Sequence, residues 1–497
     1  MSSALKVYNT LARKKEEFKP VHPGRINMYV CGVTVYSYCH LGHARCYVAF
    51  DAIYRYLKHL GYRVKYIQNI TDLDDKLIRK ANEEGGEGDI KNRVLKIAEK
   101  YTRAYFEDMD RLNILRADDY PRATDNIKEM QDIIAALIEK GYAYRRGKNV
   151  YFEVAKFADY GKLAGKNVDE LRSGARVKIE EEKKSPLDFA LWKEGDPGDP
   201  TWPSPWGAGR PGWHIECSAM SMKELGPTFD IHGGGQDLIF PHHENERAQS
   251  EASSGKPFVR YWLHNGFVTI NREKMSKSLG NVFNLRDIFR RYRPMVIRFF
   301  LLSQHYRSPV DYSEEALAEA KEALKRLDEC YSEAHITLGD IEAEPDETAM
   351  ERFREAMNDD FNTAAAIAVV YDLVNEFYQE KDSPGASGEL KAKIKAMVEI
   401  CAVLGLELTP IKRRIELSKH PEAADELLSK ETLTREEITA LVMARQALRN
   451  RKEWEKADEI RINLKDRNVQ IQDDKDGTSA AVYYEEDLKP LKQEEVK

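Results

Sequence analysis

A chain of 497 residues exceeds one ordinary domain, and at roughly 100 to 200 residues per domain it should divide into about three or four. Its composition, 42% hydrophobic and 32% charged, is that of a globular chain with a heavily charged surface and excludes disordered and fibrous classes. A formal net charge of -7 argues against whole-surface attraction to nucleic acid but leaves room for local basic patches.

No stretch approaches the ~18 consecutive apolar residues of a membrane span. The first 18 residues lack the apolar core of a signal peptide, and Arg13, Lys14 and Lys15 run straight into Glu16 and Glu17, unlike an acid-poor transit peptide. A cytoplasmic protein without membrane contact is expected. The six cysteines (Cys31, Cys39, Cys46, Cys217, Cys330 and Cys401) form no C-x-x-C pair, so reduced thiols are expected, with one or two available as metal ligands.

In chain order, residues 26–30 read as a buried strand, Gly32 breaks it, residues 41–60 follow a helical pattern closed by Gly61, and residues 64–70 form a second strand. Strand, helix, strand over this length is a βαβ unit, whose ligands bind at the carboxyl ends of the strands and the helix N-terminus. Amphipathic helices are predicted at 90–112 and 125–140 and a strand at 150–152, which together look like an insertion between two halves of one sheet. The Gly, Pro and Trp of 195–212 mark an irregular loop. Strands return at 229–232 and 262–270 around a helix that starts at Pro241. Helices then dominate, at 285–303, 314–334, 351–380, 390–404 and 436–464, before a β-like tail at 469–484.

Two motifs carry chemistry. His40-Leu41-Gly42-His43 lies at the predicted strand-to-helix junction, where two imidazoles three residues apart face one way on a helix turn whose N–H groups already favour anions. Gly42 removes a side chain where a nucleotide would approach the backbone. Far downstream, Lys274-Met275-Ser276-Lys277-Ser278, followed by Gly280-Asn281, is a cationic loop able to hold phosphates as charge develops.

His242 and Glu246 are four apart on a predicted helix and share a face, a workable pair of metal ligands that is also common without metal. Cys31 at the end of the first strand and Cys217 in Trp213-His214-Ile215-Glu216-Cys217 are able to join them. Such a set suits zinc by ligand softness, though spacing does not prove it.

Together the His-x-Gly-His and Lys-Met-Ser-Lys-Ser motifs resemble those of the class I aminoacyl-tRNA synthetases, with Leu41 in place of the usual isoleucine. The segments Tyr29-Val30-Cys31-Gly32, Asn69-Ile70-Thr71-Asp72, Asp230-Ile231-His232-Gly233-Gly234-Gly235 and Pro241-His242-His243-Glu244-Asn245-Glu246 narrow the resemblance to the cysteinyl-tRNA synthetases, over nearly the whole chain. It implies an α/β Rossmann-type catalytic domain with a parallel sheet and an inserted connective subdomain, then a helical bundle and a small C-terminal α+β domain. The boundaries expected are 1–115 and 206–283 for the two catalytic halves, 116–205 for the insertion, 284–405 for stem contact and bundle, and 431–497 for anticodon binding.

The resemblance further implies that His40, His43, Lys274 and Lys277 are catalytic, that these two histidines with Gly42 and Lys277 contact ATP and its Mg(2+), and that Cys31, Cys217, His242 and Glu246 bind one zinc per chain. The partners would be L-cysteine, ATP and tRNA(Cys), and the enzyme a monomer. Thr71 and Trp213 would line the amino-acid pocket, although Trp213 reads equally as a core aromatic. Gly233, Gly234 and Gly235 would let adenosine lie against the backbone, or else form a tight turn. Arg286, Arg290, Arg291, Arg293, Arg298 and Arg307 are available for an acceptor stem, or are a solvated face. Arg445, Arg449, Arg451, Lys452, Lys456, Arg461 and Trp454 suit nucleotide contact in the C-terminal unit. Two alternatives stand beside this reading: a cysteine ligase that acylates a small amino sugar, disfavoured by residues 431–497, and a non-catalytic tRNA-binding relative, disfavoured by the intact phosphate motifs.

Overall fold

The computed structural model describes residues 4–86, 88–167, 183–196, 198–270, 273–274, 283–383, 387–408, 424–428, 430, 433, 435–467, 469–473 and 479–482. A hairpin of β1 (Lys6–Asn9) and β2 (Lys14–Glu17) precedes β3 (Arg25–Thr34), the strand around which the rest is built. Side chains alternate across a strand, so Ile26, Met28 and Val30 enter the core shared with α1 (Leu41–His59) while Tyr29 and Cys31 enter a second core on the opposite face. Helix α1 is buried on nearly every side, as expected of a helix enclosed between a sheet and a further layer. Gly61, at φ +86°, turns the chain into β4 (Arg63–Thr71), which lies parallel to β3.

Between β4 and the second half of the sheet come α2 (Asp75–Glu84), α3 (Ile90–Arg111) and α4 (Ile127–Glu139), the first two capped by the Asp74 and Asp89 side chains. They are followed by an antiparallel sheet of β5 (Ala143–Arg146), β6 (Asn149–Phe152), β7 (Phe189–Glu194) and β8 (Gly209–Pro211), paired in chain order. Then α5 (Trp213–Leu225), β9 (Phe229–Gly235), α6 (Glu244–Ser254) and β10 (Val259–Asn265) complete a parallel sheet in the order β10-β9-β3-β4.

As expected, helical structure starts at Pro241: Phe240 is extended (φ -140°, ψ 130°), and one turn of wider helix leads into α6. One departure from the sequence reading occurs here. The predicted strand 262–270 divides at Gly266 into β10 and β11 (Val268–Ile270).

After β12 (Glu273–Lys274) the chain gives α7 (Leu285–Phe289), α8 (Pro294–Leu302), β13 (Val310–Tyr312), α9 (Glu314–Leu338), α10 (Glu347–Asn358), α11 (Thr363–Glu380) and α12 (Ser387–Val403). Strands β12, β11 and β13 form a small mixed sheet in that order. The helices predicted at 285–303 and 351–380 are each two. Pro294 starts a new helix in the first, and in the second the turn after Asn358 carries positive φ at Asp360 (65°) and Phe361 (53°). A C-terminal unit of α13 (Ala424–Leu428), α14 (Arg435–Asn450), α15 (Trp454–Asp466) and the hairpin β14 (Gln470–Asp473) with β15 (Ser479–Val482) has its own small core. By contrast α8 to α12 share a single core with α1 and one face of the parallel sheet. Among the described residues no helix is long and apolar enough to cross a membrane.

Candidate active site

The carboxyl ends of β3, β4, β9 and β10 all face the start of α1, and the expected chemistry gathers there. His40 is the extended N-cap of α1, and its ring stacks on that of His43 with centroids 3.7 Å apart and planes 15° from parallel. The His40 backbone N–H donates to His43 Nδ1 at 3.2 Å, which fixes the direction of the second ring. Gly42 lies between them on the first turn.

The lysine motif flanks the same helix start. Leu41 N–H donates to Phe283 O (3.2 Å) and Leu285 N–H to Cys39 O (2.9 Å), so the chain leaving the motif is bonded directly to the His40–His43 turn. The chain entering it is the β11–β12 strand pair, which ends at Lys274. Lys277 and the rest of 275–282 lie outside the described residues, as does the Lys274 side chain.

On the opposite face of β3, Cys31 Sγ stands 3.8 Å from Cys217 Sγ and 3.5 Å from Glu246 Oε1, and His242 Nε2 stands 2.9 Å from the same oxygen. The donor atoms of Cys31, Cys217, His242 and Glu246 all lie within 4.8 Å of one another, a candidate metal site. Four segments bring them together: the end of β3, the first turns of α5, the turn before α6 and α6 itself. Burial pushes the Cys31 thiol and the Glu246 carboxyl well above their ordinary values, while the hydrogen bond from Cys31 brings Cys217 down to about 7. Glu246 Oε2 is buried without a hydrogen-bond donor. A buried pocket holding three acidic groups and a carboxylate oxygen without a hydrogen-bond donor has the chemistry to hold a cation.

The chain matches two family models, described as "tRNA synthetases class I (C) catalytic domain" over residues 17–322 and "DALR domain" over residues 352–409. It is 49% identical to a cysteine–tRNA ligase of Geobacter metallireducens, covering 96% of this chain and 99% of the relative. A second cysteine–tRNA ligase, from Thermodesulfovibrio yellowstonii, is also 49% identical, covering 95% and 99%. The chain belongs to the cysteinyl-tRNA synthetase family. Solved structures share its fold at lower identity. A leucyl-tRNA synthetase of Agrobacterium radiobacter in complex with tRNA matches with a TM-score of 0.58 at 12% identity, over 80% of this chain and 88% of that one. A methionyl-tRNA synthetase of Mycobacterium tuberculosis matches with a TM-score of 0.55 at 16% identity, over 81% and 94%.

Within this cysteinyl-tRNA synthetase fold the candidate metal pocket is backed by histidines that sequence reasoning did not single out. His242 Nδ1 lies 2.9 Å from His214 Nδ1, and His243 runs from Cys31 Sγ (3.2 Å from Nε2) to His264 Nε2 (2.8 Å from Nδ1), which ends on Thr10 Oγ1 at 2.8 Å. His232 Nε2 approaches Cys31 Sγ at 3.5 Å, so Cys31, His232, His243 and Glu246 form a second, deeper ligand set. Burial holds His214, His232 and His243 well below the ordinary imidazole range and His264 at about 3, so these rings are neutral. The available sequence clue was the clustering of His in otherwise apolar blocks.

Trp213 is not a core aromatic: it is 41% exposed at the start of α5 and stacks on His242 with centroids 4.3 Å apart. Thr71 is buried at the end of β4 and takes a hydrogen bond from Asn69 Nδ2 at 3.1 Å. The three glycines do not form a tight turn, being strand residues of β9. A Cβ on Gly233 would meet Phe50 at 2.3 Å, one on Gly234 would meet His243 at 2.8 Å, and one on Gly235 would meet Asp237 at 2.4 Å, so each position needs glycine for the strand to pack this closely.

The arginines after the lysine motif are largely committed to carboxylates. Arg286 binds Asp108 and Glu107, Arg291 binds Glu314, Arg293 binds Asp328, Arg307 binds Asp360, and Arg298 is fully buried against Asp51. Arg290 is exposed, and its carboxylate contact, with Asp287, is a surface one at 3.2 Å. In the C-terminal unit Arg445 is buried, whereas Arg451, Lys452, Trp454, Lys456 and Arg461 are exposed.

Proposed function

We propose that the chain joins L-cysteine to tRNA(Cys) in two steps. The cysteine carboxylate attacks the α-phosphorus of ATP and releases pyrophosphate, and a ribose hydroxyl of the 3′-terminal adenosine then attacks the cysteinyl carbonyl and releases AMP. His40 and His43 stabilise the charge that develops on the α-phosphate, aided by the N-terminus of α1, while Lys274 and Lys277 hold the pyrophosphate with its Mg(2+). Gly42 leaves room for the nucleotide beside the first turn. The exposed cationic and aromatic face of the C-terminal unit is the proposed contact for the anticodon.

The observation that carries the choice of amino acid is the Cys31, Cys217, His242 and Glu246 pocket. The two sulfurs, 3.8 Å apart, are close enough to share one metal ion, and their softness suits zinc. Zinc held by this set would take the substrate thiolate as an added ligand, in preference to a neutral alcohol. The set nearer the surface is assigned over the deeper one because exposed Trp213 lies against His242, giving substrate a way in, whereas His243 is bonded to His264. The His214 pairing directs the Nε2 of His242 toward the pocket, and Thr71 and Trp213 line the space for the rest of the amino acid.

Acid-gel analysis of charged tRNA tests the acceptor. Cysteine and ATP are expected to shift tRNA(Cys), and no shift with active-site-titrated protein would refute the assignment.

A further inference from the structure

We propose that Arg45 is a positioning residue that sets the separation of the two nucleotide motifs. This rests on the ATP reading above. Arg45 lies on α1 two residues beyond His43 and is 1% exposed. Its guanidinium donates to Leu301 O at the end of α8, His305 O (2.7 Å), Tyr306 O (3.0 Å) and Ser308 O (3.1 Å), all main-chain carbonyls. A cation at the C-terminus of α8 is favourable for the helix, and were that the whole of its role, Arg45 would be a cap.

The carbonyls it gathers have a second connection. Tyr306 O also accepts from Gly266 N–H at 2.8 Å, Phe267 O accepts from Val310 N–H at 2.9 Å, and Gln236 at the end of β9 donates to Arg307 O at 3.3 Å. From there β13 pairs with β11, Val268 beside Val310 and Ile270 beside Tyr312, and Ile270 pairs with Glu273 in β12, one residue before Lys274. One guanidinium therefore ties the helix that carries the imidazoles to the root of the strand pair that carries the first lysine.

Arginine suits this because the two ends of its planar guanidinium reach four carbonyls, Nη1 that of Leu301 and Nη2 those of His305, Tyr306 and Ser308, whereas an ammonium presents a single donor atom. Gly266 is required for the same contact, since a Cβ there would lie 2.3 Å from Ser308 O and part the strand from the turn. The metal pocket is on the opposite face of β3 and takes no part in the linkage. A displacement of about 1 Å between reacting groups can cost ~10²-fold in rate.

The test is steady-state pyrophosphate exchange with Arg45→Lys, Arg45→Met and Gly266→Ala, each active-site titrated and checked by thermal unfolding. Arg45→Met is expected to lower kcat about 10- to 100-fold with the KM for cysteine within about twofold, Arg45→Lys to recover part of the loss, and Gly266→Ala to show the same split. Wild-type kcat in folded Arg45→Met or Gly266→Ala overturns the proposal, as does a parallel loss in the cysteine KM. Should Arg45→Met fail to fold, Arg45→Lys and Gly266→Ala decide it. Absence of cysteine-dependent exchange in the unaltered protein would instead refute the ATP reading on which the proposal rests.

Discussion

Cys31, Cys217 and Glu246 share a buried pocket, and burial makes ionisation of Cys31 and Glu246 costly unless a cation joins them. Cys31→Ser and His242→Ala are therefore expected to lose stoichiometric metal together with preference for a thiol substrate, and metal analysis showing full occupancy in both variants would remove these residues from the site. His214→Ala should weaken metal affinity by about 10- to 100-fold, read by chelator competition, because His242 loses the partner that orients its ring. The His40–His43 spacing was legible in the sequence because it depends only on the geometry of one helix turn. The candidate metal set was legible only in part: residue types suggested it, but Cys31 and Glu246 meet across 215 positions of chain, which spacing does not reveal. Charge counted along one segment likewise does not reveal carboxylates, such as Asp51 and Asp360, that distant elements bring to Arg298 and Arg307.

Single elements show where periodicity stops being informative. The pattern from 351 to 380 is continuous in hydrophobicity, yet the chain turns sharply at Asp359 to Asn362, because the Asp360 carboxylate is fully buried and accepts from Tyr8 N–H (2.7 Å), Tyr306 Oη (3.0 Å) and Arg307 Nε (2.6 Å). This long-range demand outweighs local helix propensity and holds Asp360 and Phe361 at positive φ. Asp360→Ala should destabilise the protein by about 1 to 3 kcal/mol, since it leaves the partly exposed Arg307 and two further donors, Tyr8 N–H and Tyr306 Oη, without this acceptor. Asp360→Asn should cost less, and equal unfolding midpoints for the two variants would contradict the account. At Gly32 the constraint is close approach: a Cβ would lie 1.5 Å from Asn69 O, so Gly32→Ala should lower the unfolding midpoint and disturb Cys31 beside it.

For the whole molecule, the βαβ signature gave the parallel sheet and the position of the site, because strand, helix and strand adjacent in sequence are adjacent in space. The antiparallel sheet of β5 to β8 was barely visible, its strands being three to six residues long and its pairing spread over some 70 residues of chain. The catalytic half and the helical bundle are joined through Arg298, which pairs with Asp51 of α1 and donates to the carbonyls of Leu112 (2.9 Å) and Leu404 (2.9 Å). A double-mutant cycle on Asp51→Asn and Arg298→Met should show each single change costing about 3 to 5 kcal/mol and the pair costing clearly less than their sum. Additivity would mean that the two do not act as a unit.

The central claim is that a metal held by Cys31, Cys217, His242 and Glu246 selects the amino acid. Pyrophosphate exchange by the zinc-loaded protein, driven by cysteine and then by serine, tests it most directly. Pocket contacts that differ by one small group separate substrates by only about 10- to 200-fold. Metal selection predicts a ratio of kcat/KM well above that range, which collapses when zinc is removed. A ratio within that range, or one unchanged by chelation, would contradict the account.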